Sequence, residues 1–380
     1  MPLASAKYAS AAIYSIAVLL LGGGVPALHA QAVRPEPVVT GLQNPWAVAF
    51  LPEGRFLVTE RPGRMRVVEA DGRLNPPLAG VPPVAAGGQG GLLDVVTDAD
   101  FAKNRTVYFC YSEPGEGGNS TALARASLSA DRSRLEQVRV LFSQKPKFAS
   151  SAHFGCRIVE TRDGKLLLSL GDRFHRKDDA QTLDNHHGKT VRIHKDGSVP
   201  ADNPFVGKAG ALPEIWSYGH RNPQGATLAP DGTYWLVEHG PQGGDEINLP
   251  QPGRNYGWPV ITYGENYGGG KIGDGLTQKA GMEQPLHYWV PSIAPSGMVF
   301  LTSDRYGAAW KGNLFVGSLK FSYLDRIELA APFTGKVVRE SKLLADLGQR
   351  IRDVRQGPDG LLYVLTDSTN GRLVRLLPAP

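Results

Sequence analysis

The chain is poor in cysteine, in clustered charge and in long apolar runs. Two cysteines among 380 residues allow at most one internal disulfide, and the spacing of Cys110 and Cys156 does not suggest a zinc site. Whether they pair or stay as buried thiols is open at this level. The 41 Lys and Arg against 36 Asp and Glu give a net charge of +5. The basic residues form no run, which excludes a nucleic-acid arm or a basic membrane patch. Past the N-terminal segment, no stretch reaches the roughly 20 apolar residues that a bilayer span needs, so no membrane span is expected in the mature chain.

Residues 1–31 read as a secretory signal. They carry one cation, Lys7, an apolar stretch from Ala11 to Leu21, then Gly22 to Gly24 and small residues suited to cleavage between Ala27 and Ala32. The apolar stretch is too short for a membrane anchor. A periplasmic or secreted protein is expected, in a compartment where a disulfide persists.

What is abundant is glycine and proline, 46 and 29 residues spread along the chain. That composition suits many short strands joined by tight turns. One unit recurs: a turn rich in Gly, Asp or Pro, then a short apolar run. It is seen in PEGRFLVTE (52–60), KNRTVYFCYS (103–112), RDGKLLLSLGD (162–172), PDGTYWLVEHG (230–240), KGNLFVGSL (311–319) and PDGLLYVLTD (358–367). Each follows a second apolar segment: WAVAF, GLLDVV, CRIVE, GATLA, GMVFL and RIRDV. A lone hairpin is marginal in water, and a ring of such sheets removes most exposed edges. The expectation is an all-β fold, a six-bladed β-propeller with long inserted loops at 173–215 and 241–290, forming one domain over residues 32–380. The alternative is a β-sandwich or two small β domains, but no linker-like segment divides the chain.

The residues that open each unit are not those packing alone would choose: Asn44, Gln89, His153, Arg221 with Asn222, and Arg350 with Arg352. In a propeller, equivalent points of successive blades ring the axis, so these side chains can converge. Arg221, Arg350, Arg352 and Lys320 repel one another unless an anion or carboxylates sit among them. The spacing of Arg350 and Arg352 puts both on one strand face, able to grip one ligand; the alternative is a solvated face paired with acids. His153 has Asp172 at the end of the next strand to hold one ring nitrogen, leaving the other free as a base. The loop EHGPQGGDEINLPQPGRNYGWP (238–259) offers oxygen donors of the kind calcium accepts, with Asp245, Glu246 and main-chain oxygens near Gly240 and Pro241 as candidates.

Eight segments in order, GQGGLLDV, HFGCRI, LLLSLGD, YGHRNPQG, EHGPQGGDEIN, NYGWP, GSLK and RIRDV, make the chain from about Gly41 to its end resemble the pyrroloquinoline quinone (PQQ)-dependent soluble aldose sugar dehydrogenases of the glucose/sorbosone dehydrogenase family. The resemblance implies PQQ and calcium as cofactors, oxidation of an aldose sugar at its anomeric carbon to a lactone, and an external electron acceptor. It implies that His153 is the base, that Asp172 orients it, and that Arg221 stabilises charge on the quinone oxygen. Asn222, Gln89 and Tyr267 would contact PQQ, and Lys320, Arg350 and Arg352 would hold its carboxylates. Main-chain oxygens of Gly240 and Pro241 would help bind one calcium, and Glu246 and Tyr256 match a second, structural calcium site. The shorter chain points to broad aldose use. The rival readings are a calcium-dependent lactonase or esterase on a six-bladed propeller, which needs no arginine cluster, and a non-catalytic binding propeller.

Overall fold

The computed structural model describes residues 33–379, so the expected secretory segment lies outside the described residues. Six four-stranded antiparallel sheets follow one another along the chain, and they are the six blades of a β-propeller. All six predicted first segments are the innermost strands: Pro45–Leu51, Leu92–Thr97, Gly155–Glu160, Pro223–Leu228, Pro295–Phe300 and Ile351–Gln356. Each pairs with the predicted second run as its neighbour. The only α-helix among the described residues is one turn, Phe101–Asn104.

Blade 6 is closed by the other end of the chain. Strand Val33–Leu42 pairs antiparallel with Gly371–Pro378 as the fourth strand of that blade. This joins the first and last blades through a main-chain ladder and removes the open edges a linear array would leave. Blade faces pack on one another through apolar side chains. One core cluster runs from Trp46 through Phe109 to Ile193, and another joins Val48, Phe56 and Val58 to Tyr363 and Leu373. Both faces of the inner strands are covered, so Pro45–Leu51 reads as a near-continuous apolar run, whereas Asp94, Arg157 and Asp353 on three other inner strands are buried as ion-paired charges.

Cys110 and Cys156 are joined by a disulfide. It links the second strand of blade 2, Thr106–Gly115, to the innermost strand of blade 3. The inserted loops differ from their expected bounds. Residues 173–215 contain the third strand of blade 3, Lys189–His194, and residues 241–290 contain two strands of blade 4, Asp245–Asn248 and His287–Trp289. These outer strands are short and lack an apolar signature, and the outermost strand of blade 1, Leu74–Pro77, holds two prolines. That composition suits an edge and hides a strand from sequence.

Candidate active site at one end of the propeller axis

Every innermost strand starts a blade, so the six run in the same sense, and their starts lie at one end of the axis. The second strands run back, so their ends arrive at the same face. Each of the six inner hairpins also carries a register shift at its first pairs, as between Pro45 and Ala47 or between Gly155 and Ile158. Bulges there turn side chains out of the sheet and toward the axis.

Two adjoining cavities occupy this end. One, of about 310 Å³, is lined by Gln89, Asn222, Lys320, Arg350 and Arg352, together with Trp46, Arg61, Phe154, Gln224 and His239. The other, of about 300 Å³, is lined by His153, Asp172, Arg221, Pro241 and Tyr267, with Phe174, Lys177 and Trp258 among its other walls. They meet where consecutive residues face opposite ways: His153 lines one and Phe154 the other, as do Arg221 and Asn222.

His153 and Asp172 are both buried, and His153 Nδ1 hydrogen-bonds Asp172 Oδ1 at 2.6 Å. Burial holds the imidazole below its ordinary range against the pull of Asp172, and the charges of Arg221 and Arg173 add to the depression. Burial would raise Asp172, but the bond to His153 and the nearby cations hold it below the usual carboxylate range. The result is a neutral imidazole whose Nε2 has no hydrogen-bond partner among the described residues. His153 has φ 53°, in the left-handed region, and its main-chain N–H donates to Gln89 Oε1 at 2.8 Å. Gln89 therefore sets the entry of the histidine into the site.

The first cavity is lined by four cations, Arg61, Lys320, Arg350 and Arg352, and by no carboxylate. Behind it, Asp367 Oδ2 reaches Arg350 at 3.2 Å and Arg352 at 3.1 Å. One carboxylate does not balance the set, and the buried Nε of Arg352 has no partner. Burial pushes the Arg352 guanidinium down to about 10 against the pull of Asp367. Such a wall favours an anion. Arg350 and Arg352 do not share a strand face by simple alternation, because Arg350 precedes the strand and a bulge follows Ile351. They converge through Asp367 instead.

Arg221 donates to the Gly240 carbonyl at 2.6 Å and to the Tyr267 hydroxyl at 3.4 Å, and its planar head lies 5.2 Å from the Trp258 ring centroid. The Gly240 oxygen is thus not wholly free: a guanidinium takes one of its two lone pairs. Asp245 is not a free metal donor either: its carboxylate accepts from the main-chain N–H groups of Gly240, Ile293 and Ala294 and from Ser292 Oγ. It braces the loop that carries Gly240 and Pro241. Among the described residues no group of three or more His, Cys, Asp and Glu is placed to hold a metal. Glu246 and Tyr256 line a void of about 10 Å³ with Glu238. Burial and the neighbouring Glu238 push the Glu246 carboxyl up to about 8. The adjacent Asn248 Oδ1 is buried without a partner, so an acid pair and an orphan oxygen there suit a hard cation. The Tyr256 hydroxyl is already used by Leu249 and Gln251, which leaves its main-chain oxygen.

Sequence reading overlooked Trp46, Arg61, Gln224, His239 and Trp258. Arg61 and His239 directly follow second strands, close to the place of Asp172 two residues past its strand in blade 3, and that placement was the available signal.

The profile of the family described as Glucose / Sorbosone dehydrogenase matches residues 42–375. The chain belongs to this family, and it is a dehydrogenase. It is 47% identical over 351 residues to the aldose sugar dehydrogenase YliI of Escherichia coli, covering 91% of this chain and 93% of that one. It superposes on the crystal structure of the soluble aldose sugar dehydrogenase from Escherichia coli in the apo-form with a TM-score of 0.88 and 46% identity, over 92% of this chain and all of that one. The PQQ-bound aldose sugar dehydrogenase from Streptomyces coelicolor matches with a TM-score of 0.74 and 27% identity, over 91% of this chain and 98% of that one.

Proposed function

We propose that this protein is an exported PQQ- and calcium-dependent dehydrogenase that oxidises aldoses at the anomeric carbon to lactones and passes the electrons to an external acceptor. The observation that carries this reading is the cationic, carboxylate-free cavity adjoining a neutral, carboxylate-held histidine. PQQ, a tricarboxylate, fits the four cations and the orphan Arg352 Nε, and when bound it supplies the two-electron acceptor. In this arrangement Lys320, Arg350 and Arg352 hold carboxylates, with Gln89 and Asn222 along one wall and Tyr267 at the rim. Arg221 places positive charge beside the wall shared by the two cavities, where developing negative charge is stabilised.

The sugar sits in the second cavity with its anomeric hydroxyl toward His153. Nε2 takes the hydroxyl proton, and Asp172 keeps Nδ1 protonated and stabilises the imidazolium that forms. Loss of that proton, together with a hydride from C1, converts the hemiacetal carbon to the lactone carbonyl. Calcium is assigned to Glu246 and the main-chain oxygen of Tyr256 as a structural ion. Main-chain oxygens of Gly240 and Pro241 would help hold a second calcium beside Arg221, which donates to the Gly240 carbonyl.

A lactonase would need oxygen ligands around a metal in the axial cavity, and the cavity wall offers no carboxylate. Reconstitution decides between the two. Purified apoprotein given PQQ and calcium is expected to reduce an artificial dye with aldose. Lactone hydrolysis without PQQ, and no dye reduction with it, would reject the dehydrogenase reading.

A further inference from the structure

Arg173 is fully buried, yet no carboxylate lies within ion-pair distance of it among the described residues. Burying a guanidinium without an acid is costly unless its donors are met otherwise. Here they are met in part: Nη1 donates to the Ala152 carbonyl at 3.0 Å, and Nη2 to the Ser150 carbonyl at 2.6 Å and to Asn119 Oδ1 of blade 2, while the buried Nε has no partner. The planar head also lies 3.7 Å from the centroid of Phe154, whose ring lines the cationic cavity. Its own main-chain N–H reaches the His153 carbonyl at 3.3 Å.

These contacts bracket the base on both sides. His153 stands between Ala152 and Phe154 in left-handed backbone, as do Arg173 and Phe174, at φ 61° and 64°. Such conformations in residues with a Cβ persist only where surrounding contacts over-determine them. Asp172 fixes the imidazole ring, but nothing in that bond fixes the backbone that presents it. We infer that Arg173 is a positioning residue, which clamps the segment 150–152 and the Phe154 ring so that His153 is presented to the sugar cavity. This rests on His153 being the base, as proposed above. The positive charge of Arg173 also lies near enough to favour the neutral imidazole, in the same sense as burial.

The test compares Arg173→Met and Arg173→Lys with the parent protein. In the apoprotein, carbethoxylation of His153 by diethyl pyrocarbonate is followed by peptide mass spectrometry across pH. Expected for Arg173→Met is a midpoint for His153 displaced upward, as loss of a nearby cation requires. Turnover at saturating PQQ should fall by about 30-fold or more, while PQQ affinity changes less than about tenfold. Arg173→Lys keeps the charge but not the planar fork. It should keep the midpoint and still lose about tenfold or more in turnover, at the scale expected of a misplaced base.

A folded Arg173→Met protein with unchanged His153 reactivity and turnover would overturn the inference. If Arg173→Met fails to fold, Arg173→Lys decides, and parental turnover in that variant overturns it. Failure of the dehydrogenase reading looks different: the parent would neither bind PQQ nor oxidise aldoses, while the His153 reactivity shift between variants would stand.

Discussion

Trp258 donates its indole N–H to Asp172 Oδ2 at 2.7 Å, while His153 holds Oδ1 of the same carboxylate at 2.6 Å. The Phe174 main-chain N–H also donates to Oδ1. Both oxygens are therefore committed, and the carboxylate cannot turn without breaking a buried bond. Trp258 comes from the long loop of blade 4 and Asp172 from the end of a strand of blade 3, so the base is oriented across blades.

Asp172→Asn keeps the volume but removes the charge that stabilises the imidazolium and sets an amide NH2 against one of the donors that the carboxylate accepts from. Turnover at saturating sugar should fall by about 10² to 10⁴-fold, the range for losing acid–base assistance. Sugar and PQQ binding should change little. Steady-state kinetics with a PQQ titration checks both.

The rate against pH should report the depressed His153. Its ordinary midpoint is about 6.5, and burial holds it lower, so the acid limb of kcat/KM should fall below that value. The folded state binds fewer protons than the unfolded chain as pH drops below about 6.5. The His153 contribution therefore destabilises the protein as pH falls from there, and His153→Asn should flatten the stability curve on that side.

Arg352→Ala removes a buried donor set from the anion wall. A charge-assisted bond is worth about 1.5–3 kcal/mol, so PQQ affinity should weaken by roughly 10- to 150-fold. Turnover at saturating cofactor should fall much less. The reverse pattern would show that Arg352 does not anchor the cofactor.

Calcium should raise the melting temperature of the apoprotein, because an ion held only by the folded state stabilises it by mass action. Glu246→Gln should abolish most of that rise. An equal rise in both proteins would remove Glu246 from the site.

Breaking the Cys110–Cys156 bond opens a loop of sequence separation 46. Chain-entropy arguments put the loss at about 4 kcal/mol. Denaturant unfolding of Cys156→Ser, beside the parent with and without reductant, measures it.

Much of the site was legible in sequence because it lies at the starts of the inner strands. Each start follows a turn and opens a strand, so Gln89, His153, Asn222 and Arg350 stand out as polar residues one to three places ahead of it. Residues at the ends of second strands, such as Arg61 and His239, were harder to see. They look like ordinary strand exits until the antiparallel return of each hairpin brings them to the same face. Asp245 misled for a related reason. A carboxylate in a glycine-rich loop reads as a metal donor, whereas here three main-chain N–H groups and the Ser292 hydroxyl occupy it.

The sequence by itself determined the blades: six apolar pairs separated by turns form hairpins, and hairpins with two apolar faces have to bury both on neighbours, which six units in one undivided chain do in a ring. Tertiary structure alone decided which distant residues share a cavity. Trp46, Arg61 and Arg352 meet because ring closure through Val33–Leu42 and Gly371–Pro378 brings the chain ends together. It also decided that Cys110 and Cys156 pair, that Arg221 donates to the Gly240 oxygen, and that Arg350 and Arg352 meet at Asp367. The physical reason is range: turn and strand preferences act over a few residues, whereas charge balance and burial are settled only when the blades close.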